Sequence, residues 1–264
     1  MKKIILALFV ATLMVSCKTE EKKEVSVEKE TVVEKTMVDL SRYPQGLKDV
    51  LAAHGGLQKW SEMRSLTYSL DETETIADVQ TRDIVVKSPT HTIGSLDGKV
   101  WIAQDSAYFP EARAKFYHNL MFYFYSMPFL LADSGIVYED VEPLEFDGVT
   151  YPGIKVGFEA AVGDSPDDNY LMYYHPETKK MTWLAYTVTA GNRGKSDKFN
   201  FVNYNEWNEV NGLLLPTQLT WYKVENNKPT VPAGKVREFK SIDIDGGNMD
   251  TATYAKPENG VYVD

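Results

Sequence analysis

The chain is poor in cysteine, histidine and positive charge, and it lacks any long hydrophobic run. Cys17 is the only cysteine, so no internal disulfide can form and a disulfide-stapled scaffold is excluded. The four histidines, His54, His91, His118 and His175, follow none of the HExxH, HxH or CxxC spacings of zinc sites, so no metal is expected. Asp164, Asp167 and Asp168 lack the alternation and closing Glu of a calcium loop, and read as a solvated acidic loop. No GxSxG turn and no glycine-rich phosphate loop is present, which removes the usual signatures of acyl transfer and nucleotide binding. No catalytic residue and no cofactor is expected. Acidic residues outnumber basic ones by 38 to 28, a balance that argues against nucleic acid and against electrostatic docking on anionic lipid.

What is present begins with a processing signal. Lys2 and Lys3 precede an apolar run over 4–15, the length of a signal-peptide core and short of the about 20 residues a membrane span needs. Ser16 then precedes Cys17, and the pattern LMVSC resembles a bacterial lipobox. Residues 1–16 therefore read as a signal peptide and Cys17 as the lipid attachment site, holding the protein at the outer membrane. Residues 17–39 alternate charge with Val and contain no aromatic residue, Gly or Pro. Such a segment cannot bury enough surface to fold alone and reads as a disordered tether, with a short charged helix as the competing reading. Lys18, Glu20 and Glu21 resemble an acidic lipoprotein export signal, so the periplasmic face and the cell surface both stay open.

From residue 40 to 264 the composition is that of one globular domain with a sizeable core. Leu47, Val50 and Leu51 predict a first helix, broken at Gly55-Gly56, with His54 as its C-terminal cap and a second short helix after it. The period then changes. LTYSLDETET alternates as a half-buried strand, VQTRDIVVK follows as another, and Asp97-Gly98 marks a hairpin between 91–96 and 99–104. Further strands are predicted around the turns at Asp147-Gly148, Asn211-Gly212 and Asn226-Asn227, with the last near 236–244. The tail from 248 carries few signals. About ten strands with short connections favour sequential antiparallel pairing in a sheet that must curl.

The segment 116–131, FYHNLMFYFYSMPFLL, interrupts that sheet. All but His118, Asn119, Ser126 and Pro128 are apolar or aromatic. Read as a helix starting near Pro110 and stopped by Pro128, it places Phe116, Leu120, Phe124 and Met127 on one face and is apolar nearly all round. It either fills the core or acts as a lid over an apolar cavity. Arg113 and Asp133 bracket it, as a polar cavity mouth or an ordinary surface ion pair. Trp101 and Trp183 fall in predicted strands, and strict alternation puts Trp183 on one face with Met181, Ala185 and Thr187.

YHPETKKMTWLAYTV and FVNYNEWNEVNGLLLPTQLTWY, with HGGLQKW and YFYSMPFLLAD, resemble uncharacterised bacterial lipoproteins related to the LolA/LolB/LppX-like lipoprotein superfamily. The resemblance implies an α+β, mainly antiparallel fold: an open half-barrel with helices on its concave side, holding acyl chains or other apolar ligands. The expectation is a membrane-anchored envelope lipoprotein, not an enzyme, that binds a lipid-like ligand lined by Phe116, Leu120, Phe124, Met127, Trp101 and Trp183. The alternative is a non-enzymatic envelope interaction or scaffold module with a solid core. The sequence names no protein partner.

Overall fold

The computed structural model describes residues 37–106, 108–158, 169–188 and 198–263. The proposed signal peptide, Cys17 and all of the tether before Met37 lie outside them, as do Asp164, Asp167 and Asp168. The chain is tied to the folded unit from Val38 onward, whose N–H donates to Gln58 Oε1 at 2.8 Å.

Two short helices come first, α1 (Gln45–Ala53) and α2 (Leu57–Ser61). The predicted stripe Leu47, Val50 and Leu51 is the buried face of α1. Five strands follow: β1 (Ser65–Leu70), β2 (Thr73–Asp78), β3 (Ile84–Lys87), β4 (Thr92–Leu96) and β5 (Lys99–Ala103). Then come α3 (Glu111–Tyr125) and a 3-10 turn, Phe129–Ala132. The remainder is β6 (Ile136–Phe146), β7 (Val149–Phe158), β8 (Tyr170–Tyr174), β9 (Met181–Tyr186), β10 (Asn200–Val210), β11 (Leu213–Glu225), β12 (Lys228–Pro232), β13 (Arg237–Asp245) and β14 (Gly260–Tyr262).

Among the described residues all pairings are antiparallel and form one 14-stranded sheet in the order β14-β5-β4-β3-β2-β1-β13-β11-β10-β9-β8-β7-β6, with β12 attached to β11. The sheet is curled and does not close, so the architecture is the expected open half-barrel. The hairpin turns follow from their residues. Asp97 and Gly98 have φ of 51° and 74°, and Asn211 and Gly212 have 49° and 76°. Two consecutive positive φ values define the turn whose twist matches a hairpin, and Asp, Asn and Gly tolerate them best.

Four details differ from the sequence reading. LTYSLDETET is two strands, because Asp71 turns at φ 54° between Leu70 and Thr73; no Gly marks that turn, and the polar run after it continues the alternation. β12 contains Pro229 and Pro232, which argue against a strand, and it survives because it pairs with β11 on one side only. The tail supplies β14, paired with β5. Finally, β9 pairs Trp183 with Tyr173 but Met181 with Tyr174. That bulge adds one residue to β9 and puts Met181 and Trp183 on opposite faces, where strict alternation had put them together.

The inner face carries the main core, with Leu66, Tyr68, Ala77, Ile84, Leu184, Val202, Tyr204, Leu215 and Leu219 among its buried side chains. The helical segments cover this face. Two smaller clusters lie on the outer face. One is built on Tyr173, Trp183 and Phe201, the other on Ile76, Val85, Trp101 and Tyr254.

Candidate functional site

The concave face and α3 form the candidate site. The first half of α3 runs across β3, β4 and β5. Ala114 has no exposed surface and packs with Ile93, Val100 and Ile102; the small side chain lets the helix lie close on the sheet. The second half enters the core. Phe122 and Tyr125 are fully buried, Tyr125 stacks on Tyr68 at 4.4 Å, and Tyr204 Oη donates to the Phe124 carbonyl at 2.8 Å. The 3-10 turn continues the packing: Phe129 stacks on Trp60 with ring centroids 4.5 Å apart.

The outward flank of α3 is different. Phe116 and Tyr117 are 44% and 37% exposed, and Leu120 is half-buried. Phe124 ends this flank, edge-on to Tyr186 at 5.1 Å and Trp221 at 5.3 Å. Trp221 Nε1 donates to Tyr186 Oη at 2.8 Å, and burial raises the Tyr186 phenol pKa. Of the three flank residues Phe116, Leu120 and Phe124, it is Phe124 that meets the two sheet aromatics. Met127 is buried in the core. Tyr186 was not singled out in the sequence; its place on the face of Leu184 in the MTWLAYTVT alternation was the available signal.

The other expected site residues are elsewhere. Trp101 sits in the cross-strand row Ile76–Val85–Gly94–Trp101, opposite in parity to the inner row Ala77–Ile84. Its indole lies over Gly94, where a Cβ would meet the ring at 2.3 Å, and Nε1 donates to the Tyr254 carbonyl at 2.9 Å. Trp183 packs with Phe146 and Tyr222 on the outer face. Both tryptophans are separated from α3 by the thickness of the sheet, since alternate residues of a strand point to opposite faces. Arg113 and Asp133 do not meet as a mouth. Arg113 donates to Tyr117 Oη at 2.7 Å on the exposed flank. Asp133 accepts from Arg82 Nη2 at 2.7 and 2.6 Å. Burial raises the Asp133 pKa and Arg82 offsets part of that rise.

His54 closes α1 but does not cap it through its ring. Nε2 accepts the Met181 N–H at 3.1 Å, which leaves the proton on Nδ1 to be donated to the Leu214 carbonyl at 3.0 Å. The ring also lies 4.2 Å from Trp207. Burial lowers its pKa to about 4, so it is a neutral staple joining α1 to β9 and β11. Among the described residues no three His, Cys, Asp or Glu side chains are grouped to hold a metal.

Two depressions of the surface are lined by residues outside α3. An open groove of about 530 Å³ is lined by Arg42, Tyr43, Pro44, Ile136, Val137 and Tyr138. One of about 120 Å³ is lined by Ser69, Asp71, Val236, Glu238 and Lys240. No helix of the described residues is long and apolar enough to cross a membrane.

Residues 2–232 match the model of a protein family. The chain belongs to DUF6503, a family of unknown function. No curated protein matches this DUF6503 chain in sequence. Solved structures similar to it include a LolA superfamily protein from Nitrosomonas europaea, with 10% identity, 76% of this chain and 96% of that chain covered, and a TM-score of 0.43. A DUF1329 family protein from Desulfovibrio piger gives 10% identity, coverage of 78% and 98%, and a TM-score of 0.45. A Vibrio parahaemolyticus domain described as an outer membrane lipoprotein-sorting protein gives 6%, 76%, 95% and 0.35. The fold of the DUF6503 chain itself rests on the strand order and register given above.

Proposed function

We propose that this protein is a lipid-anchored envelope lipoprotein that binds an apolar or amphipathic, lipid-like molecule along the outward flank of α3. Phe116, Leu120 and Phe124 form one wall of the binding surface and Tyr186 and Trp221 the other, with Met127 in the packed floor behind them. The observation that carries this reading is the uneven packing of α3. Its underside is buried, while Phe116 and Tyr117 are partly exposed on the flank whose far end, Phe124, packs on sheet aromatics. Aromatic side chains left in water next to a rim of further aromatics are what an apolar ligand covers. The ligand lies beside the helix, because Phe122, Tyr125 and Met127 fill the space beneath it. The lipobox-like LMVSC supports anchoring through Cys17 at the outer membrane, on its periplasmic face or at the cell surface. No reaction and no cofactor enter this reading.

A second reading is favoured by the same flush packing from Phe122 to Ala132: an envelope interaction module with a solid core. Two measurements separate these readings and test the anchor. In cell fractionation the native chain is expected in the outer membrane fraction and a Cys17→Ser variant in the soluble fraction; a native chain found soluble would remove the anchor. Lipid extraction and mass spectrometry of the purified Cys17→Ser full-length chain are expected to recover a bound lipid. Recovery of none, together with no binding of an apolar fluorescent dye, leaves the solid module.

A further inference from the structure

Among the described residues β6 is an end strand of the sheet and pairs only with β7. Its pairing is regular from Ile136 to Val141 and then breaks at a bulge that contains Pro143. An edge strand turns the N–H and C=O of alternate residues away from its sheet, where another strand can pair with them. The usable edge is therefore the stretch before the bulge.

The same stretch borders the 530 Å³ groove. The groove wall is fixed from behind. Tyr43 Oη and Arg42 Nη2 both donate to the Ala132 carbonyl, at 2.7 and 2.9 Å, and Tyr138 Oη donates to the Leu131 carbonyl at 2.6 Å. The Tyr43 and Tyr138 rings meet edge-on at 6.1 Å. With both phenol protons committed, the two rings and Pro44 offer an apolar seat. Beyond it the strand turns acidic. Glu139, Asp140, Glu142 and Glu145 are exposed. Glu139 pairs with Lys155 at 2.8 Å, and the other three form no ion pair among the described residues.

We propose that the β6 edge is a docking strand for an extended, basic segment of a partner protein. The segment adds as a further strand beside residues 136–141. It places one apolar side chain in the Tyr43–Pro44–Tyr138 groove and Lys or Arg against Asp140 and Glu142. The charge also names what is refused. A second copy pairing β6 with β6 sets like charges opposite one another, which is destabilising. A one-sign edge thus rejects itself and admits a strand of opposite sign. The opposite end of the sheet, β14, spans only Gly260–Tyr262 and offers no comparable length. This proposal is independent of the ligand reading for α3, and either can fail alone.

The test uses the full-length chain carrying Cys17→Ser and a fluorescent peptide of alternating valine and lysine with a tyrosine near its start. Two controls accompany it, an alternating valine–glutamate peptide and a proline-interrupted peptide with the same number of lysines. The strand-forming lysine peptide is expected to bind and to slow amide exchange within 136–141, and both controls to fail. The double change Asp140→Lys with Glu142→Lys is expected to weaken binding by roughly tenfold or more, with an unchanged thermal midpoint showing that the fold is intact. The proposal is overturned if the lysine peptide does not bind, if the proline-interrupted peptide binds equally well, if exchange slows elsewhere instead, or if charge reversal in a folded variant leaves affinity unchanged.

Discussion

The two halves of the segment running from α3 through the 3-10 turn both carry aromatic residues and differ in the environment of those rings. The second half is dense in Phe, Tyr, Leu and Met, whereas the first sets Phe116, Tyr117 and Leu120 among Glu111, Arg113, Lys115, His118 and Asn119. From Phe122 onward the aromatic rings are locked between sheet and helices, with Tyr125 on Tyr68 and Phe129 on Trp60. Before Leu120 only Ala114 is buried, while Phe116 and Tyr117 face outward. Aromatic content alone therefore does not separate structure from function. The same residue type contributes stability in one half and, on our reading, a ligand surface in the other.

The largest expected effect lies in the packed half. Phe129→Ala removes a fully buried ring and should cost about 3–5 kcal/mol in denaturant unfolding. A loss under about 1 kcal/mol would show that this half is not the packed one.

His54 belongs to the same half, since its ring lies 6.4 Å from that of Phe129. Burial lowers its pKa from 6.5 to about 4, so the unfolded chain takes up the proton first. The contribution of the neutral ring is fully present above pH 6.5, declines as the pH falls towards 4, and levels off below. The decline amounts to about 3 kcal/mol. Asp133, whose pKa burial raises, acts in the opposite direction over part of this range. Comparison with His54→Gln isolates the histidine: unfolding midpoints between pH 4 and 7 should depend less on pH in the variant. Equal pH dependence in both proteins would remove the staple.

Phe124 stands at the boundary, buried yet part of the exposed flank's aromatic rim. Phe124→Ala should cost less stability than Phe129→Ala and weaken dye binding, which Phe129→Ala should leave intact wherever the protein folds. The smallest effect on stability is expected at Phe116. Phe116→Ser should move unfolding by no more than about 1 kcal/mol, because nearly half of the residue is already in water. A larger loss would mean that the outward half is structural too.

The sequence carried much of this fold, for local reasons. Asp97-Gly98, Asp147-Gly148, Asn211-Gly212 and Asn226-Asn227 each announce a turn by chemistry that two adjacent residues contain. The α3 period and the Leu47–Leu51 stripe are equally local. What was hidden depends on the whole sheet. A single extra residue in β9 separates Met181 from Trp183. Strand order then decides which face of Trp101 and Trp183 is outside, and no stretch of chain encodes that by itself. Arg42, Tyr43 and Tyr138 form a groove only because two segments far apart in the chain meet at the β6 edge. For the candidate site, Phe116, Leu120 and Phe124 were legible from helical spacing, whereas Tyr186 and Trp221, the neighbours of Phe124, come from strands whose inward face only the curl defines.

The central claim is that the outward flank of α3 holds a lipid-like ligand, and titration of an apolar fluorescent dye into full-length Cys17→Ser protein tests it most directly. The account predicts saturable binding that drops by roughly tenfold or more when Phe116→Ser and Leu120→Ser are combined, with the circular dichroism spectrum unchanged. Saturable binding of equal affinity in that folded double variant, or no binding to the parent protein, would contradict it.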